Sequence, residues 1–146
     1  MSRIHRSLAF VCLAGAALWS GACAAENLTL EVYGNQSPGA SLYVAIYRAE
    51  LDNWDATPSQ TLRHSLPDEE DFSLALPVEP GRYAVRAFID LDQDGQLKTN
   101  TRGRPQEPFA SSLGDGRTRP AIDFGKSIVT LSAQSPAASI SLRYPR

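Results

Sequence analysis

Tyr83-Ala84-Val85-Arg86-Ala87-Phe88-Ile89 runs directly into Asp90-Leu91-Asp92-Gln93-Asp94-Gly95-Gln96. The fold reading turns on this junction. Aspartates at the first, third and fifth places of a loop, with glycine at the sixth, form the acidic half of an EF-hand-type Ca²⁺ loop. An EF-hand would flank that loop with helices. Here the preceding stretch, rich in β-branched and aromatic residues, reads as a strand. The chain is therefore expected to be a β protein with an acidic loop hung from one strand end.

Chemistry supports an ion in that loop. Ca²⁺ is a hard cation that takes about six to eight oxygen ligands. Asp90, Asp92 and Asp94 supply carboxylates at alternate positions, and the seventh place, Gln96, normally offers its backbone carbonyl. Gly95 stands where the chain must turn sharply and a Cβ would be costly. The second half departs from the EF-hand pattern. Lys98 holds the ninth place and Thr101 the twelfth, where a bidentate Glu is usual. The missing ligands must come from elsewhere, with Glu107 and the Asn100 side-chain carbonyl the nearest candidates. The competing reading is a solvated acidic turn built from Asx-type hydrogen bonds. In that reading Lys98 relieves part of the charge repulsion.

Outward from the loop, strand patterns dominate. Leu28–Val32 alternates apolar and polar residues. In Ser41–Arg48, Leu42, Val44 and Ile46 share one face and Tyr43, Ala45 and Tyr47 the other, which predicts a central strand. Leu62–Leu66, then Phe72, Leu74 and Leu76, predict two more strands. Glu79-Pro80-Gly81 turns into Tyr83–Ile89, so those neighbours read as a hairpin. Asp123–Leu131 and Ala138–Tyr144 close the chain. The expectation is an all-β, antiparallel sandwich of about seven strands, Ig-like or transthyretin-like. Residues 25–146 form its single domain, with a long irregular loop over 99–122.

The first 24 residues read as a signal peptide. Arg3 and Arg6 precede the apolar run Leu8–Trp19, and Ala22-Cys23-Ala24 suits cleavage after Ala24. Ser20-Gly21-Ala22-Cys23 alternatively resembles a lipobox, which would anchor a lipoprotein through Cys23. The expected location is the periplasm or the extracellular space, with no transmembrane span in the mature chain. Cleavage removes Cys12, so no disulfide or Cys-based zinc site is expected. It also removes Arg3 and Arg6 but no acid, which takes the formal charge from −2 to about −4. That balance argues against nucleic acid and against an anionic membrane surface as partners.

Other residues invite chemistry more weakly. Trp54, in the Glu50–Ser59 loop, is read as a cover over the open end of the core, or as a stacking platform for a ligand. His64 has no nearby Ser or Cys partner pattern and reads as structural. Arg102, Arg104, Arg117 and Arg119 could bind an anionic group through their forked donors, or simply balance nearby aspartates. Asp68-Glu69-Glu70-Asp71 reads as a solvated turn.

Three stretches together resemble one exported bacterial family, domain of unknown function 2141: Gly39–Tyr47, Pro80–Gly103 and Pro105–Phe109. The shared signature is a proline-glycine turn, a tyrosine-bearing strand, an acidic loop ending in glycine, then a glycine-x-proline-x-glutamate-proline segment. Ile89 stands where family members commonly have histidine, and Lys98 where they commonly have an acid. The resemblance implies an exported sandwich and carries no known activity. The strand around Tyr83 is also similar to those of transthyretin-like and carboxypeptidase-regulatory-like sandwiches.

The functional expectation is a non-enzymatic envelope module with a Ca²⁺-stabilised loop, serving an envelope protein or glycan. The alternative is a glycan or small-ligand binder using Trp54 and the arginine-rich loop. A carboxylate hydrolase with Asp94 and Glu107 as acid and base is the third reading. No G-x-S-x-G or H-E-x-x-H motif is present, and no catalytic residue is assigned.

Overall fold

The computed structural model describes residues 28–112 and 123–146. The signal peptide reading, Cys23, Arg117 and Arg119 lie outside the described residues. Among the described residues there are eight strands: β1 (Thr29–Tyr33), β2 (Ser41–Arg48), β3 (Gln60–Ser65), β4 (Phe72–Ala75), β5 (Gly81–Asp90), β6 (Phe109–Ser111), β7 (Ile128–Leu131) and β8 (Ala137–Ser141). The helical content of the described residues is two single 3-10 turns, Ala49–Leu51 and Gly125–Ser127. One sheet has the order β4-β1-β8. The other runs β3-β2-β5-β6, with β7 also on β5. The all-β sandwich expected from the sequence is thus the fold found.

The two sheets meet through side chains at alternate positions. Leu30 and Val32 of β1, Leu42, Val44 and Ile46 of β2, Val85, Ala87 and Ile89 of β5, and Ile140 of β8 are buried in one cluster. Each fully buried Leu, Ile or Val contributes roughly 1.5–3 kcal/mol by leaving water. The face read for β2 from its sequence is the face that packs.

Three features differ from the sequence reading. β6 is the additional strand, set in a stretch read as irregular. It is only three residues long, too short for a periodic signal, and β5 holds it through Arg86↔Ser111, Ala87↔Ala110 and Phe88↔Phe109. Second, β4 and β5 do not pair as a hairpin. β4 pairs β1 and β5 pairs β2, so Pro77–Pro80 crosses from one sheet to the other. Third, β1 and β8 run parallel, from Thr29↔Ala137 to Tyr33↔Ser141, whereas the remaining ladders are antiparallel.

β5 positions the site. Along one edge it pairs β2 from Arg48↔Tyr83 to Ser41↔Asp90. Along the other it pairs β7 at its start and β6 further on. β5 is paired on both edges as far as Phe88, and its last residue, Asp90, stays on the β2 ladder opposite Ser41.

Candidate metal centre

Asp90 is the last residue of β5 and only 2 % exposed. It alternates with the inward-facing Ile89, so it lies on the outer face of the sheet, the face of Arg86 and Phe88. The acidic loop folds back over it. Gly95, at φ +77, donates its N–H to Asp90 Oδ2 at 2.9 Å. Its left-handed conformation suits glycine, and a Cβ there would stand 3.8 Å from the Tyr43 hydroxyl of the same outer face. Gln93 is also left-handed, at φ 63. Asp94 Oδ1 accepts the Gln96 N–H at 2.8 Å, an Asx-type contact that shapes the loop.

Glu107 closes the arrangement from across the loop. It is 3 % exposed, and each oxygen accepts a backbone amide: Oε1 that of Leu91 at 2.8 Å and Oε2 that of Lys98 at 2.9 Å. One carboxylate thereby ties together both ends of the acidic loop. The chain reaches Glu107 through a small hairpin. Thr99 bridges Pro105, the Asn100 N–H bonds to Arg104 O at 2.9 Å, and Gln106 N–H bonds to Lys98 O at 2.8 Å. Asn100 Oδ1 accepts the amides of Arg102 and Arg104, which fixes the hairpin tip. Gly103, at φ 71, completes that tip.

Asp90, Asp92 and Glu107 each bring a carboxylate oxygen to one place, all within 4.8 Å of one another. Such a group can hold a metal ion. The sequence had named all three. Asp94, named with them, is not part of the converging group and serves the loop's own backbone. Gln96 lies on the loop with its amide on Asp94, and Asn100 is occupied at the hairpin tip.

The electrostatics are unbalanced. Lys98 Nζ lies 3.1 Å from Asp92 Oδ2, and this is the one ion pair among the described residues. The Lys98 hydrogen bond holds the Asp92 carboxyl below the usual carboxylate range, and the same contact raises the Lys98 ammonium. Asp90 Oδ1 is the one buried side-chain polar atom without a hydrogen-bond partner among the described residues. An unsatisfied buried carboxylate oxygen is costly, and native structures leave few of them unless an ion or water completes the site. All-oxygen ligation by carboxylates suits a hard cation rather than zinc or copper.

The weaker candidates lie apart from this group. Trp54 packs on the outer face of the larger sheet, edge-on to Tyr47 at 5.2 Å and to Phe124 at 4.8 Å. The Arg86 guanidinium lies over its ring at 4.3 Å from the centroid. Trp54 therefore belongs to a second small apolar cluster, with Tyr47, Ala84 and Phe124, rather than covering an open end of the main core. Burial pushes the Tyr47 phenol up and the Arg86 guanidinium down from their ordinary values. His64 stacks on Phe72 at 5.9 Å, in keeping with a structural part. Arg102 and Arg104 are exposed on the hairpin after the acidic loop.

Comparison with known families adds the decisive observation. The family described as uncharacterized proteins conserved in bacteria, domain of unknown function 2141, matches residues 30–138. The chain belongs to that family. The match runs from β1 into β8, so the domain of unknown function 2141 is the sandwich itself, with the carboxylate group inside it. No curated protein and no solved structure matches the chain. Among the described residues no helix is long and apolar enough to cross a membrane.

Proposed function

We propose that the chain is an exported, non-enzymatic β-sandwich module whose end loop binds one Ca²⁺ ion through Asp90, Asp92 and Glu107. The observation that carries this reading is the buried Asp90 oxygen left without a partner beside two further carboxylates. Loop backbone, Gln96 included, and water would complete the shell. Ca²⁺ is favoured over Mg²⁺ because it accepts more ligands and looser geometry. The ion would neutralise the repulsion among the three acids and lock the acidic loop to the hairpin that follows. Export rests on the Arg3-to-Ala24 leader pattern. A hydrolytic role for Asp94 and Glu107 draws no support from the geometry, since Glu107 converges with Asp90 and Asp92 rather than with Asp94.

Calorimetric titration with Ca²⁺, followed by melting in Ca²⁺ and in EGTA, tests the reading. A ligand that binds only the folded state at about a hundred times its Kd adds roughly 2.7 kcal/mol, a rise of about 10 °C for a domain this size. Asp92→Ala, at an exposed position, should remove both the binding heat and the shift while the EGTA melting curve stays close to wild type. Wild-type protein that melts identically in Ca²⁺ and EGTA would end the proposal.

A further inference from the structure

We propose that the cation-loaded acidic loop and the adjoining hairpin form a docking surface for an anionic phospholipid bilayer. The proposal rests on the Ca²⁺ reading above and names the partner of the same site. Among the described residues the exposed large apolar side chains are Tyr33, Leu91 and Leu97. Two of these three stand on the acidic loop, Leu91 at 54 % and Leu97 at 36 % exposure. A single exposed leucine needs no explanation. Two on one short stretch of chain, six residues apart across the acidic loop, form a local feature. Glu107 draws them together, since its two oxygens hold the backbone at Leu91 and at Lys98, the neighbour of Leu97.

The charge around the leucines has the matching pattern. Lys98, Arg102 and Arg104 are exposed on the same excursion of chain, between Leu97 and Pro105. Lys98 is held by Asp92, and a cation coordinated by Asp92 would release its ammonium. The stretch from Asp90 to Glu107 carries four acids, Asp90, Asp92, Asp94 and Glu107, against Lys98, Arg102 and Arg104, a formal charge of −1 that one Ca²⁺ would turn to +1. Phosphate oxygens are hard donors that can fill the remaining positions on Ca²⁺. Leu91 and Leu97 would enter the headgroup–acyl boundary, and the basic side chains would meet anionic headgroups. The acidic balance of the whole chain opposes adsorption without the ion, so docking depends on Ca²⁺.

Co-sedimentation tests this with purified protein in the form the cell accumulates. The vesicles are phosphatidylglycerol–phosphatidylcholine mixtures and pure phosphatidylcholine, each in Ca²⁺ and in EGTA. The expected result is at least a tenfold gain in bound fraction on the anionic vesicles with Ca²⁺, reversed by EGTA and absent on phosphatidylcholine. Leu91→Ser/Leu97→Ser should lower that partitioning roughly tenfold while the calorimetric Ca²⁺ affinity holds. Arg102→Ser/Arg104→Ser, at the hairpin tip, should lower it several-fold and serves if the leucine variant folds poorly. Ca²⁺ binding without vesicle binding overturns the docking surface and leaves the cation site standing. Docking to a protein through the leucines would give this same pattern. Absence of Ca²⁺ binding overturns both, and sedimentation of the leucine variant at wild-type levels overturns the docking surface.

Discussion

Lys98 Nζ and Asp92 Oδ2 meet at 3.1 Å, so an ammonium neutralises one corner of a three-carboxylate group and leaves the buried corner uncompensated. A cation that binds at Asp92 must compete with this lysine. Lys98→Met is accordingly expected to tighten Ca²⁺ roughly three- to tenfold, since an exposed like charge close to an ion weakens it only modestly. Calorimetric titration measures it. An unchanged or weaker affinity would show that Asp92 does not hold the ion.

Acid should reverse the effect of Ca²⁺. The ligands bind metal only when ionised, so protons and the ion compete. The Asp92 carboxyl is held below its ordinary value by the Lys98 hydrogen bond. Its folded value is depressed, so its stabilising contribution is present above the unfolded value and lost as pH falls through the folded one. Lys98 is raised, so its contribution is present below the unfolded lysine value and lost only as pH climbs through the folded one. The pair is intact at neutral pH. The melting shift between Ca²⁺ and EGTA should therefore shrink below the ordinary carboxylate range, followed by calorimetry across a pH series. A shift that grows on acidification would contradict carboxylate ligation.

Glu107 should matter to the fold even without metal. Glu107→Gln replaces one acceptor oxygen by an NH₂ that faces a backbone N–H, and an unsatisfied buried group costs about 1–3 kcal/mol. Chemical denaturation in EGTA should show that loss. A variant as stable as wild type would mean that the two amide contacts can be replaced by water.

The two loop glycines offer a matched contrast. Gly95 and Gly103 both have positive φ, at 77 and 71. Alanine in that conformation costs about 1–2 kcal/mol. Gly95→Ala should in addition weaken Ca²⁺, because Gly95 N–H orders the Asp90 carboxylate. Gly103→Ala should lower stability by a similar amount and leave Ca²⁺ affinity alone. Equal effects on Ca²⁺ would remove the special place of Gly95.

Trp54 should contribute to stability and not to the ion. Its ring lies beneath Arg86 and against Tyr47 and Phe124. Trp54→Ala is expected to cost about 2–4 kcal/mol in denaturant unfolding, with Ca²⁺ affinity unchanged. A small loss in stability would reopen its reading as a stacking platform for a ligand.

What could be read in advance follows the range of the interactions. The inward faces of β2 and β5 were legible because one face of each is buried and the period is two. The alternating acids were legible because strand-end loops repeat the same local spacing. Glu107 was nameable only as a nearby acid. Its clamp on Leu91 and Lys98 depends on the hairpin between Thr99 and Pro105, whose turn is held by Asn100 rather than by a hydrophobic pattern. Asp94 stands outside the converging group, because alternate spacing does not say which carboxylates the fold will bring together. The β4–β5 hairpin failed for a related reason: Glu79-Pro80-Gly81 marks a change of direction without stating which sheet the next strand joins. The parallel pairing of β1 and β8 has no local signature at all.

That pairing bears on how the molecule comes to be assembled. β1 is the middle of its sheet, and one of its two neighbours is β8, the last of the described strands. Leu30 and Val32 must therefore wait for Ala138 and Ile140, more than a hundred residues later, before both edges of their strand are satisfied. Synthesis in chain order therefore presents β1 long before the partner that closes its sheet. Until β8 is available one edge of β1 stays open, and removal of β8 would expose the backbone groups of Leu30 and Val32 on that edge.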